Sequence, residues 1–145
     1  MMAAEVLPRA PLSARLRPGK PEDLDYVRSS WRKSNAHTAE SRRVVAYSLS
    51  MRRFIDRLLS RNDTALTVAC DTEDEDALYG WLAAKAPDTL YYLFVRFPMR
   101  GRGLARRLVE AAGLAARAVH YTHRSTMPVK TPEGWAYDPY RNWPE

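Results

Sequence analysis

The stretch Phe97-Pro98-Met99-Arg100-Gly101-Arg102-Gly103 has residue types and spacing suited to chemistry. Two glycines two positions apart let the backbone turn sharply, and the stripe Leu104, Leu108, Ala111, Ala115 that follows has the period of an amphipathic helix. Gly103 therefore leads into a helix N-terminus, whose first N–H groups lack partners within the helix and carry the positive end of its dipole. That is a ready site for a pyrophosphate. Arg100 and Arg102 add charge at the turn, Arg96 precedes it, and Arg106 and Arg107 lie one turn further on, where a guanidinium can take two phosphate oxygens at once. No Gly-Lys-Ser/Thr follows, so the loop is not of the Walker type, and the dinucleotide fingerprint is incomplete, since Arg106 stands where its third glycine belongs. Glycine at a helix start also serves packing alone, so the meaning of the loop depends on the elements around it.

Those elements are legible in outline. Ala14-Arg15-Leu16-Arg17 alternates as a short strand does, and Pro18-Gly19 stops it. Pro21-Glu22-Asp23 opens a helix with Leu24, Val27 and Trp31 on one face. A second helix carries Val44, Tyr47, Met51, Phe54, Ile55 and Leu58 at steps of three and four, with Arg42, Arg53, Asp56 and Arg57 off the stripe. Residues 65–70, 77–84 and 90–95 read as three meander strands, the first two joined by the acidic turn Asp71-Thr72-Glu73-Asp74-Glu75-Asp76. After the glycine loop and its helix, Ala118-Val119-His120-Tyr121-Thr122 can form one more strand. From Met127 onward four prolines and the aromatics Trp135, Tyr137, Tyr140 and Trp143 suit an extended or turn-rich tail.

Arg100-Gly101-Arg102-Gly103-Leu104-Ala105 resembles the Arg/Gln-x-x-Gly-x-Gly/Ala segment of the GNAT acyltransferase superfamily. Leu16-Arg17-Pro18 with Pro21-Glu22-Asp23-Leu24 is similar to the family's opening strand and helix, Tyr79-Gly80-Trp81 sits where it often has a Gly-aromatic pair, and the order of elements over residues 14–123 matches. The resemblance implies an α/β (α+β) fold, a mixed central sheet flanked by helices, with the aromatic tail in place of the closing helix. It implies acetyl-CoA as cofactor, held by Val95, Arg100, Gly101, Arg102, Gly103, Leu104 and Ala105, and an unknown primary amine as acceptor. The family's acidic base is absent from the later strands; Tyr91, Tyr92, His120 and His123 are the titratable groups there. His120 is the candidate base, because an unperturbed histidine titrates near neutral pH, and Tyr121 the candidate proton donor, with Tyr137 or Tyr140 recruited only if the tail folds back. A histidine satisfied within a strand is the plainer alternative. His37, between the first two helices, is ambiguous between an acceptor-side group and a solvated loop residue.

The chain has 145 residues and a net charge of +6, sufficient for one domain with a modest core. We expect that domain over residues 1–126, with 1–13 a loose arm, followed by a tail over 127–145. The single cysteine, Cys70, excludes an internal disulfide and a multi-cysteine zinc site and reads as a buried small hydrophobe; no metal site is expected. No apolar run suits a membrane span and no export signal is visible, so a cytoplasmic location is expected. Of the 23 basic residues the clustered ones surround the glycine turn, which favours a pyrophosphate over nucleic acid as partner. Ser29-Ser30-Trp31 and Trp135-Ala136-Tyr137-Asp138-Pro139-Tyr140 resemble segments of small phage-encoded GNAT-like proteins. That resemblance implies an alternative: a fold without turnover, serving assembly in a tailed-phage virion, with the aromatic tail docking on protein partners.

Overall fold

A computed structural model describes residues 13–35, 47–114, 119–122 and 133–138. In chain order these form β1 (Ala14–Pro18), α1 (Leu24–Asn35), α2 (Tyr47–Leu59), β2 (Ala65–Asp71), β3 (Leu78–Lys85), β4 (Thr89–Val95), α3 (Leu104–Ala111), β5 (His120–Tyr121) and β6 (Ala136–Tyr137). One six-stranded sheet takes the strands in sequence order. β1 to β4 form an antiparallel meander, while β5 runs parallel to β4 and β6 parallel to β5. A parallel neighbour needs a crossover, and α3 lies in the connection that carries the chain from the end of β4 back to the start of β5.

Alternation along the strands divides the core between the two faces. Val68, Trp81, Ala83 and Tyr91 pack with Val27 and Trp31 of α1 and Ile55 and Leu58 of α2. Ala69, Leu82, Ala84 and Leu90 pack with Leu104 and Leu108 of α3 and with Leu114 and Val119. Burial of each large aliphatic side chain contributes about 1.5–3 kcal/mol. Trp31 adds ring contacts to Tyr92 at 5.1 Å and to Trp81 at 5.4 Å. The buried Trp81 Nε1–H donates to Ser30 Oγ at 2.8 Å, so this polar atom is satisfied inside the aromatic layer. Cys70 is fully buried in β2, in accord with its apolar setting.

The corner between β1 and α1 is fixed by charge. Arg17 donates to both carboxylate oxygens of Asp23 at 2.7 and 3.0 Å, and Lys20 N–H donates to the same carboxylate at 2.7 Å. Both side chains are under 10% exposed. Pro21–Asp23 is thus a 3-10 turn before α1 rather than the first turn of the helix itself. Two other boundaries differ from the periodic pattern. The third helix, expected through Ala115, ends at Ala111, because Gly113 adopts a φ of 72° and reverses the chain. The last core strand, expected over 118–122, is limited to His120 and Tyr121. Part of the tail is a strand: Ala136 N–H donates to Val119 O, Asp138 N–H donates to Tyr121 O, and Trp135 packs on the α3 side of the core. Among the described residues no helix is long and apolar enough to cross a membrane.

Candidate functional site

The glycine loop is built as a helix entrance. A 3-10 turn over Phe97–Met99 follows β4, and Gly101 and Gly103 then take φ values of 77° and 78°. Side chains other than glycine are strained in that region, and a Cβ at either position would meet nothing within 4 Å. The glycines are therefore required by backbone conformation, not by crowding, and the space above them is open. Gly103 is the N-cap of α3 and no side chain caps the helix; the first helical bond is Arg107 N–H to Gly103 O at 3.2 Å. The N–H groups of residues 104–106 consequently precede the helical ladder and are available to an external anion.

The arginines divide by role. Arg100 Nε donates to Val95 O at 2.9 Å and its guanidinium lies 5.6 Å from the Phe97 ring centroid, so Arg100 fastens the loop to the end of β4 while charging it. Arg102 keeps a buried Nε with no hydrogen-bond partner among the described residues. Arg106 is exposed. Arg107 donates to Ala14 O at 2.7 Å and ties α3 to β1, away from the phosphate position expected for it. Leu104 is buried in the core, so only its backbone N–H can serve a ligand, and Ala105 is exposed.

β4 is the second half of the site. The register with β3 shifts between Ala83 and Ala84, which pair with Tyr92 and Leu90, leaving Tyr91 as a bulge residue. β5 pairs with β4 at Thr89 and Leu90, and Thr122 then donates to Leu90 O from its backbone and to Tyr91 O from its hydroxyl. β4 continues to Val95. Residues 93–95 pair with β3 on one edge and have no strand partner on the other among the described residues. A backbone edge thus runs from the bulge to the glycine loop, with Val95 at its end.

The candidate catalytic pair lies at the far end of that edge. His120 is opposite Thr89 and Tyr121 opposite Leu90, so His120 is six residues along the strand from Val95, about 20 Å at the usual rise. The structure does not bring His120 and Tyr121 to the glycine loop; it puts them beside the bulge. Val119 and Tyr121 pack on the α3 side, so alternation directs His120 to the α1 side. Among the described residues His120 Nδ1 is buried without a hydrogen-bond partner and is 3.9 Å from Asp138 Oδ2, and Tyr121 meets the Tyr137 ring at 5.6 Å. His37, His123, Tyr140 and Trp143 lie outside the described residues.

A groove absent from the sequence reading adjoins the loop. It holds about 440 Å³ and is lined by Tyr26, Ser29, Ser30, Lys33 and Ser34 of α1 together with Phe94, Arg96, Phe97, Pro98 and Arg100. The five α1 positions recur at steps of three, one, three and one, a single helix face; this periodicity was the available signal. Burial pushes the Tyr26 phenol above its ordinary range, partly opposed by Arg96.

No protein-family model matches the sequence, and no curated protein matches it. Solved structures do match. A putative acetyl transferase from Pyrococcus furiosus superposes with a TM-score of 0.59 at 16% identity, covering 79% of this chain and 85% of the other. The histone acetyltransferase HPA2 and related acetyltransferase from Corynebacterium glutamicum gives 0.54 at 16% identity, with coverage of 69% and 70%. YjaB from Escherichia coli, solved in its apo form, gives 0.52 at 22% identity, and the match spans 70% of this chain and 65% of YjaB. At such identities the likeness is one of fold. The mixed sheet flanked by helices is the GNAT acetyltransferase fold, the α/β class expected from the sequence.

Proposed function

We propose that the chain is an acetyl-CoA-dependent N-acetyltransferase acting on a primary amine. The observation that carries this reading is the uncapped N-terminus of α3 behind two positive-φ glycines, at the end of a β4 edge that β5 leaves open. Donors and space fit the cofactor: the backbone of residues 101–105 with Arg100 and Arg102 would hold the pyrophosphate, and the edge through Val95 would hold the amides of its arm. Acetyl-CoA supplies an activated thioester. His120, beside the bulge and directed toward α1, would accept the amine proton, while Tyr121, which faces the α3 side, would reach the departing thiolate only from the opposite face of the sheet. Asp138 near Nδ1 would orient His120. This chemistry belongs in the cytoplasm, in a domain whose sheet extends past residues 1–126 to include β6.

The alternative of a non-catalytic virion assembly module draws no support from residues 133–138, which pack on the chain's own sheet through Trp135 and the β6 ladder. The test is thermal unfolding with acetyl-CoA. Ligand at a hundredfold excess over its dissociation constant stabilises by about 2.7 kcal/mol, and the double variant Arg100→Ala with Arg102→Ala should lose most of that gain. Absence of a shift at millimolar acetyl-CoA removes the enzyme reading.

A further inference from the structure

We infer that the groove between α1 and the end of β4 receives an acceptor amine that also carries an oxyanion, a carboxylate or a phosphate; this rests on the acyl transfer proposed above. Among the described residues its lining holds three cations, Lys33, Arg96 and Arg100, and no carboxylate. The hydroxyl of Ser29 and the phenol of Tyr26 supply neutral donors, the Ser34 hydroxyl donating instead to Ser30 O at 2.9 Å, and Tyr26, Phe94 and Phe97 supply apolar wall. Lys33 forms no ion pair among the described residues, whereas Arg28 on another face of α1 is paired with Asp25 and Asp56. The acidic turn between β2 and β3 lies at the same end of the sheet without lining the groove. Its Glu75 is paired with Arg15 and Lys20, and its Asp71 accepts from the Tyr79 hydroxyl. Positive charge against low-dielectric aromatic walls concentrates anions and repels polycations. A volume of about 440 Å³ suits a small molecule. Because Arg100 is committed through Nε to Val95 O and is assigned above to the pyrophosphate, Lys33 and Arg96 carry most of the discrimination, and the acceptor holds its oxyanion in the groove while its amine extends along β4 toward the bulge beside His120.

The test uses the full chain and reads release of the CoA thiol with glutamate, phenylalanine and phosphoethanolamine as anionic amines and with spermidine and kanamycin as polycations. Turnover of an anionic amine is expected, with carboxylate and phosphate probes separating the two oxyanions. Its KM should rise about tenfold in Lys33→Ala and in Arg96→Ala, with kcat held within about twofold. KM should also rise with added salt. Lys33 is an exposed helix residue, and Arg52→Ala on α2, equally exposed, serves as a charge control that leaves both constants unchanged. In parallel, calorimetry titrates acetyl-CoA, N-acetylglutamate, N-acetylphenylalanine and N-acetylphosphoethanolamine separately into the unloaded protein. If acetyl-CoA fails to bind, the transferase reading falls, while binding of an acetylated anion that Lys33→Ala weakens still supports an anion groove. Preferred turnover of a polycation overturns the inference. So does absence of both turnover and binding of every anionic probe, or a Lys33→Ala defect in acetyl-CoA binding alone.

Discussion

Gly103→Val isolates one of the two positive-φ positions on which the proposed cofactor loop depends. Gly103 has a φ of 78° as the N-cap of α3, and no atom lies within 4 Å of a Cβ built there, so the substitution meets no neighbour and acts through the backbone. Holding a non-glycine residue in the left-handed region costs roughly 1–2 kcal/mol. For a domain of this size that is a fall of about 2–8 °C in melting temperature. A β-branched residue resists the conformation most, and relaxing it turns the peptide planes on either side, so that the N–H groups ahead of α3 no longer converge. Loss of one such bond to a charged oxygen costs about 1.5–3 kcal/mol, and the dissociation constant for coenzyme A should rise roughly ten- to hundredfold. Gly113→Ala is the matched control. Gly113 has a φ of 72° at the other end of the same helix, with only Ala86 Cβ in ordinary contact at 3.9 Å. It should lower the melting temperature to a similar extent and leave coenzyme A affinity unchanged. Calorimetry and thermal melts on both variants decide the matter: unchanged affinity in Gly103→Val, or an equal loss in the two, would refute the assignment of the loop.

Two further outcomes follow from buried or enclosed charge. The Arg17 guanidinium, the Lys20 N–H and the Arg17 charge hold the Asp23 carboxyl below its ordinary value of 3.8 despite burial. A folded value below the unfolded one means that this stabilisation is complete above about pH 4 and is lost as pH falls through the folded value. Asp23→Asn should therefore lower stability by about 3–5 kcal/mol at pH 7, with the gap to the wild type closing in more acid solution; urea unfolding that gives parallel pH profiles for the two proteins contradicts it. At the other end of β4, His120→Gln should lower kcat by about 10²–10⁴-fold with the affinity for coenzyme A retained, measured by steady-state kinetics and calorimetry; an undiminished kcat assigns His120 to packing.

The glycine loop was readable from sequence because a positive φ is written in residue identity, and the strands and α1 because their burial follows a simple period. Where several neighbours decide the outcome, the pattern misleads. The alanine-rich period runs through Gly113 without a break, so helical spacing extends to Ala115 although the chain turns at Gly113. Arg107 belongs to the same charge cluster as Arg100 in one dimension, yet it reaches a carbonyl on β1, 93 positions away in sequence. The groove was invisible for the same reason: Tyr26, Ser29 and Lys33 read as an ordinary polar helix face until the sheet brings Arg96 and Phe97 against them. His120 was legible as a titratable residue but not as one that meets Asp138, since the tail pairs with β5 through two residues that no periodicity marks.

That pairing bears on how the open edge of β4 is maintained. A strand that leaves its neighbour after two ladder positions loses the hydrogen bonds that would fix it, and β5 is such a strand. Its other edge is held by β6, through Ala136 N–H to Val119 O and Asp138 N–H to Tyr121 O, both at 2.9 Å. Trp135 packs on the α3-side core and Tyr137 lies against Tyr121, so the support is apolar as well as hydrogen-bonded. The tail thus compensates β5 on one side for what it gives up on the other. An aromatic segment that sequence alone allows to be a docking arm has, over residues 133–138, a task within its own sheet: it supports β5 beside the bulge at Tyr91, where residues 93–95 have no strand partner on that edge among the described residues. The open edge of β4 proposed for the cofactor and the pairing of the tail are two consequences of the same early end to the β4 and β5 ladder.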